Sequence, residues 1–383
     1  VLGAWGRGGP MQSIRNVCDR SLLSRHWQWL GLLACVTGVL IAGYQSVVAG
    51  WSLYYLDVMR GDELSAASAP LVADHFAALL ADAWQQLIWQ SLFLLVLVGV
   101  LALGVRRGLG VLVWLAVPTM ITLLGILVRY ALENGDLVAA RDYLFSIKLV
   151  DFTPVSILAA MGHALLTLGV GLGAGMVYGA YSPKRIPIGR SVMAVAVFDT
   201  VIALLAGIAI FPVLFANNLA PAQGPGLLFI SLPYVFANAP QGELFGSLFF
   251  GLTVVIALGF ALALTEPAVR VLQQQLRLRR VTAVAIVGGG VWLLAWLTAG
   301  SVARGSRVGE AGLLLSLDFL AANILLPLVC LLTALFMGWR VRACVLRPQL
   351  ARESDVSFSL WHTFLRYIAP PAIVLVMLSG LVL

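Results

Sequence analysis

Apolar residues run along this chain in long blocks separated by short polar stretches. Nine blocks, at about 27–56, 84–105, 109–131, 155–181, 190–216, 244–272, 281–299, 312–338 and 364–383, qualify as membrane spans. Each supplies the ~20 apolar residues that a helix needs to cross ~30 Å of hydrocarbon. The alternating pattern of a membrane barrel is absent, which leaves helices as the spanning structures. Two of the connecting stretches are themselves apolar. Segment 74–87 sets Phe76, Leu79, Leu80, Ala83, Trp84 and Leu87 at helical spacing, predicting a helix lying along the interface. Segment 217–243 is uncharged until its end and holds an apolar run at 227–236, predicting a lid that folds back onto the helices.

Composition turns this pattern into a class. Of 383 residues, 61% are hydrophobic and 11% charged, and the mean hydropathy is +0.98. A soluble domain carries roughly a quarter of its residues as charges, so disorder, a disulfide scaffold and an ordinary soluble enzyme are all excluded. The net charge of +7 would suggest nucleic acid in a soluble protein; in a membrane protein it reflects basic loops on one side of the bilayer. With the N-terminus inside, 18 of the 24 Lys and Arg residues fall on the cytoplasmic side. The other six are Arg60, Arg129, Arg141, Lys148, Arg304 and Arg307. This bias predicts a multi-pass protein of the cell (inner or plasma) membrane, with a cytoplasmic N-terminus and, after nine spans, a C-terminus outside. The first 26 residues are basic and polar with no short apolar region and cleavage site, so no signal peptide is expected. The start at Val1, in an already amphipathic tail, predicts that material precedes it. Cys18, Cys35, Cys330 and Cys344 lack C-x-x-C spacing and read as small apolar fillers rather than metal ligands or disulfides.

An acid at mid-helix costs ~2.5–3.5 kcal/mol on insertion scales, so ionisable residues inside spans are functional candidates. Of 17 acids, 11 fall in outside segments, three in cytoplasmic ones and three within spans: Asp199, Glu266 and Asp318. Glu266, beside Pro267 near the cytoplasmic end of its helix, reads as a snorkelling or packing acid that reaches water. Asp318 lies about two turns into its span from the outer face and fits a gate or an interface role equally. Asp199 is deep in its span and has no interfacial explanation. His163 is the one histidine within a span. The same block carries Gly169, Gly171, Gly173 and Gly175. Each weakens a helix by ~1 kcal/mol relative to Ala. Gly171 and Gly175 form a small-xxx-small packing pair, but four alternate glycines exceed what packing needs. A broken helix whose freed carbonyls and amides line a binding site is the favoured reading. A nucleotide-binding glycine loop is excluded, because no strand precedes it.

Five sets of residues, in order and at matching spacing, resemble the neurotransmitter:sodium symporter family, especially its bacterial members. They are Val-Val-Ala-Gly-Trp at 47–51; Asp-Phe-Thr-Pro at 151–154 with Gly162 and Tyr-Gly-Ala-Tyr at 178–181; Asp199 and Thr200 with Ala-Leu-Leu-Ala-Gly at 203–207 and Ile-Phe-Pro at 210–212; Gly-Pro-Gly at 224–226 with Leu232 and Pro233; and Glu266 and Pro267 with Asp318 and Phe319. The resemblance implies an all-α LeuT-type fold of two inverted five-helix repeats, with discontinuous first and sixth helices meeting at the midplane. Residues 1–7 resemble the end of the family's second helix, and the nine spans its third to eleventh, in a single transmembrane domain. The broken first helix is absent, so the chain is expected to be a fragment or an incomplete transporter.

The resemblance also implies site residues. Thr167 matches a sodium ligand, and Asp199 stands where many members carry an Asn at the same site. Tyr181 and Asp318 match inner and outer gating positions. Gln45 replaces a substrate-contacting Tyr and Leu166 an aromatic lid, while Gly169, Leu172, Phe260 and Leu264 line the same pocket. His163 replaces a Gln and Ala203 a Ser or acid; Gln274 replaces an inner-gate acid. Gly259 and Phe260 stand where a second sodium site has two hydroxyls, and losing two oxygens from five is expected to abolish it. The implied activity is cation-coupled (sodium) symport of an amino acid or small organic amine by alternating access, with sodium as coupling ion and no cofactor. Proton coupling through His163 and Asp199 is a variant. A pseudo-transporter that binds ligand without transport is the competing class. No nucleophile–base pair, metal cluster or paired carboxylates suggests an enzyme, and no nucleic-acid partner is expected.

Overall fold

The computed structural model describes all residues except 62, 147–152, 184–185, 222–223, 305–311, 351 and 383. Asp151 and Phe152 of the resemblance, and Lys148, Lys184, Arg185 and Arg307 of the charge count, lie outside the described residues, as do 222–223 of the lid segment. The described chain is helical and has no strand. Two short helices, α1 (Leu2–Gly6) and α2 (Pro10–Ser21), precede α3 (Gln28–Arg60). Then follow α4 (Ala69–Ala81), α5 (Ala83–Gly104), α6 (Gly110–Asn134), α7 (Leu137–Phe145), α8 (Pro154–Thr167), α9 (Ala174–Tyr181) and α10 (Ile188–Ala216). The second half comprises α11 (Leu232–Ala237), α12 (Gly242–Gln275), α13 (Arg280–Ala303), α14 (Leu313–Asp318), α15 (Leu326–Leu335), α16 (Ala343–Leu346), α17 (Asp355–Thr363) and α18 (Ala369–Val382). Eight continuous helical stretches among the described residues are long and apolar enough to span a membrane, α14–α15 and α17–α18 each counting as one. The ninth expected span, 155–181, is α8 and α9 with six non-helical residues between them. The last span begins at Asp355, nine residues before its apolar block.

Helix α3 is the axis of the bundle. It packs along most of its length on α12 and also on α13 and α5. Small residues let the backbones close up, as lipid-embedded interfaces require. A Cβ on Gly50 would stand 2.8 Å from the Gln90 nitrogen, and one on Gly38 2.9 Å from the Leu264 carbonyl. By contrast α6 and α10 keep most of their side chains out of the core, as lipid-facing helices do. Three wide π turns run directly into prolines. Leu227–Ser231 leads to Pro233, Phe319–Leu325 to Pro327, and Phe364–Ile368 to Pro370. Proline has no N–H for the carbonyl four residues back, and a wider turn absorbs the mismatch without ending the span.

Segment 74–87 is two helices, not the one its spacing predicts. The Asp82 carboxylate accepts the Trp84 and Gln85 N–H groups at 2.9 and 3.0 Å, starting α5 and stopping α4. Trp84 is consequently exposed, while Phe76 and Leu79 are buried. The lid segment does fold back: Phe229 is fully buried, stacked on Phe76 (5.4 Å between centroids) and edge-on to Trp51 of α3 (5.7 Å).

Candidate functional site

The interruption between α8 and α9 is built by glycine. Gly169, Gly171 and Gly173 have φ of +63°, +83° and +74°, a left-handed conformation that costs a residue with a Cβ about 1–2 kcal/mol. Gly171 also lies so close to α15 that a Cβ would meet the Cys330 sulfur at 2.8 Å. That thiol donates to the freed Val170 carbonyl at 3.3 Å. Gly175, beyond the break, has open space around it. Alternate glycines therefore serve the break, while only Gly171 of the proposed packing pair makes a close approach.

The side chains named from the sequence fall into separate groups. Leu172 and Leu264 are buried and meet at Gly38 of α3. Gln45 is half-buried on the same helix. Its neighbour Tyr44 is 3% exposed, and the Asp318 carboxylate is the charged group that its hydroxyl approaches. This buried hydroxyl was not among the sequence candidates; a tyrosine next to a polar residue in a span was the available signal. Leu166, Gly169 and Phe260 are half-buried. Thr167, at the end of α8, is exposed and among the described residues its hydroxyl bonds only the Ala164 carbonyl, at 3.4 Å. His163 is exposed and Asp199 half-buried, and neither bonds any described residue. Gly259 has no atom within 4 Å of a Cβ position, so α12 presents no side chain there.

At the arginine-rich end the sequence reading of Glu266 needs correcting. It is 1% exposed and does not reach water. Its carboxylate accepts two bonds from Arg280, at 2.7 and 3.2 Å, and one from the Tyr181 hydroxyl at 2.7 Å. Arg270, one turn on, donates to the same hydroxyl and stands 3.8 Å from the carboxylate. Arg280 also donates to the Leu101 carbonyl of α5 at 2.7 Å. Glu266 thus ties α9, α12, α13 and α5 together, which satisfies the demand that a buried charge be paired and hydrogen-bonded. Its signal in the sequence was the arginine four residues later, one helical turn away.

The profile of the sodium:neurotransmitter symporter family matches residues 80–383. The chain belongs to this family. The chain is 30% identical over 357 residues to an uncharacterized sodium-dependent transporter, YhdH, of Bacillus subtilis, covering 92% of this chain and 78% of that protein. It is 26% identical over 401 residues to an uncharacterized sodium-dependent transporter of Haemophilus influenzae, covering 98% and 87%. Its structure matches that of MhsT in complex with L-phenylalanine with a TM-score of 0.87 and 30% identity, covering 99% of this chain and 86% of that one. The fold is therefore the LeuT-type transporter fold, and α8–α9 is a broken helix within it.

Two sets of variants test this geometry by equilibrium unfolding in detergent. Gly171→Ala is expected to lose about 1–2 kcal/mol from the left-handed backbone, and more from contact with Cys330. Gly175→Ala is expected to be neutral or to gain up to ~1 kcal/mol. Equal effects would show that the break does not depend on positive φ. Glu266→Ala, which strands Arg280 in a buried site, is expected to cost about 3–5 kcal/mol. Glu266→Gln, which keeps a hydrogen-bond acceptor, should cost less; a neutral Glu266→Ala would show that the network does not hold this end.

Proposed function

We propose that the symporter couples sodium entry to uptake of an amino acid by alternating access across the cell membrane. The observation that carries this reading is the broken helix: freed backbone groups at 168–173, packed at Gly171–Gly173 against α3, α12 and α15, next to Thr167. Sodium prefers oxygen ligands, and Thr167 and Asp199 supply a hydroxyl and a carboxylate. Gln45, Leu166, Gly169, Leu172, Phe260 and Leu264 form the substrate pocket on this reading. The complex of MhsT with L-phenylalanine supports an amino-acid substrate. Tyr181 and Asp318 act at the two gates, Tyr181 through its bond to Glu266. At Gly259 and Phe260 no hydroxyl is available to a second cation, so one sodium per cycle is proposed.

Reconstituted in proteoliposomes, the full-length protein is expected to accumulate an amino acid only under an inward sodium gradient, with a Hill coefficient for sodium of about 1. Thr167→Val and Asp199→Ala should each abolish that dependence. Ligand binding without uptake would favour the pseudo-transporter, and uptake that follows a proton gradient at constant sodium would move the coupling to His163 and Asp199.

The charge bias supports a cytoplasmic arginine-rich end, and cysteine accessibility tests it. Cys344 is exposed, whereas Cys18, Cys35 and Cys330 are buried. Burial, with help from Asp19, also pushes the Cys18 thiol up to about 11, so it stays protonated and unreactive at neutral pH. A membrane-impermeant maleimide is expected to label Cys344 alone, in inverted vesicles and not in right-side-out ones. The opposite pattern would reverse the orientation.

A further inference from the structure

A polar cavity of about 80 Å³ lies beyond the Glu266 network, between α1, α9 and α12. Arg7, Arg270 and Gln274 form its polar wall together with Tyr181. Arg7 is exposed, bonds main-chain oxygens, those of Ser182 and, at 3.4 Å, Ala180, and has no carboxylate partner among the described residues. Arg270 stands 3.8 Å from Glu266, but both oxygens of that carboxylate are taken by Arg280. Arg270 and Arg280 share the one carboxylate and the exposed Arg7 lines the same cavity, a formal surplus of two positive charges around this end. Like charges lining one cavity repel each other, and a bound anion relieves that repulsion. Gln274 cannot do so. Its Oε1 accepts the Gly9 N–H at 2.8 Å, which turns its Nε2 away as a further donor.

Size narrows the ligand. One water needs about 10–15 Å³ of such cavity space, so the cavity takes a few water-sized particles and is well below the ~300 Å³ or more of an organic-substrate site. We propose that this cavity binds one small monovalent anion, chloride in the cell, held by Arg7, Arg270 and the Gln274 amide. The bound ion bridges the segment after α1 to the end of α12 and clamps the arginine-rich end closed. A carboxylate at position 274 would do the same from within the chain. The site concerns anion binding and stands whether or not the protein transports.

Chloride itself is the probe. The full chain, purified with gluconate as counter-ion, is titrated with chloride while thermal unfolding is followed. A saturable rise in Tm is expected; at ten times the dissociation constant the folded-to-unfolded ratio rises about 11-fold. Gln274→Glu should remove this response while keeping the Tm at least as high as the gluconate value, and Arg7→Gln should remove it as well. Bromide soaked into crystals should give an anomalous peak between Arg7 and Arg270. A wild-type response no larger than that to added gluconate, a full response in either folded variant, or bromide bound only elsewhere would overturn the proposal.

Discussion

A helix that stops inside a bilayer leaves amides and carbonyls that lipid cannot satisfy, and covering one such gap organises this protein. Between Thr167 and Ala174 the chain turns three times through positive φ, and separate parts of the fold close on it. Cys330 of α15 bonds the Val170 carbonyl. Around Gly173, a Cβ would meet Pro10 at 3.2 Å, Pro267 at 3.3 Å and Ala34 at 3.7 Å, so α2, α12 and α3 all converge there. The half-helix α8 is far less enclosed than the break it leads to, with no fully buried residue. Packing here is concentrated where backbone is exposed, which is what an irregular segment at membrane depth demands.

Helix α12 carries this arrangement to the arginine-rich end. Leu264 and Pro267 touch the region around the break, while Glu266 and Arg270, on adjacent turns, join the network with Tyr181 and Arg280. Tyr181 is itself the last residue of α9, the half-helix that begins at the break. The break and the arginine-rich end are therefore joined twice, along α12 and along α9. On the proposed reading, reorienting α9 would strain the Glu266 bonds, and releasing Glu266 would free α9. Two sites that bias one shared element are the physical requirement for coupling between them.

Much of the fold was legible because lipid imposes a simple rule: spans must be long, apolar and helical. Four glycines in seven residues violated that rule visibly, and the break is where they are. Local competition was harder to read. The period of segment 74–87 ran straight through Asp82, yet that carboxylate captures two amides and divides the helix. Glu266 was harder still. Its place near a helix end suggested access to water, and only the approach of Arg280 from the next helix and Tyr181 from α9 explains its burial. Periodicity reports what a residue faces, whereas the partner of a buried charge is a tertiary fact.

Glu266 and Asp199 show two different uses of a carboxylate in a span. Glu266 is neutralised by fixed partners, which makes it a strut. Asp199 is half-buried on α10 and has neither an ion pair nor a hydrogen bond among the described residues. Leaving an acid unpaired at mid-helix carries a cost of ~2.5–3.5 kcal/mol on insertion scales. A permanent arginine partner would remove that cost and with it any reason for a cation to bind. On the proposed reading the incomplete pairing is the functional feature: the ion that lowers the energy of Asp199 is one that arrives and leaves. A coupling ion can shift a conformational equilibrium only by its difference in affinity between the states. On that reading a carboxylate free of fixed partners offers such a difference, and one locked in a network like that of Glu266 would not.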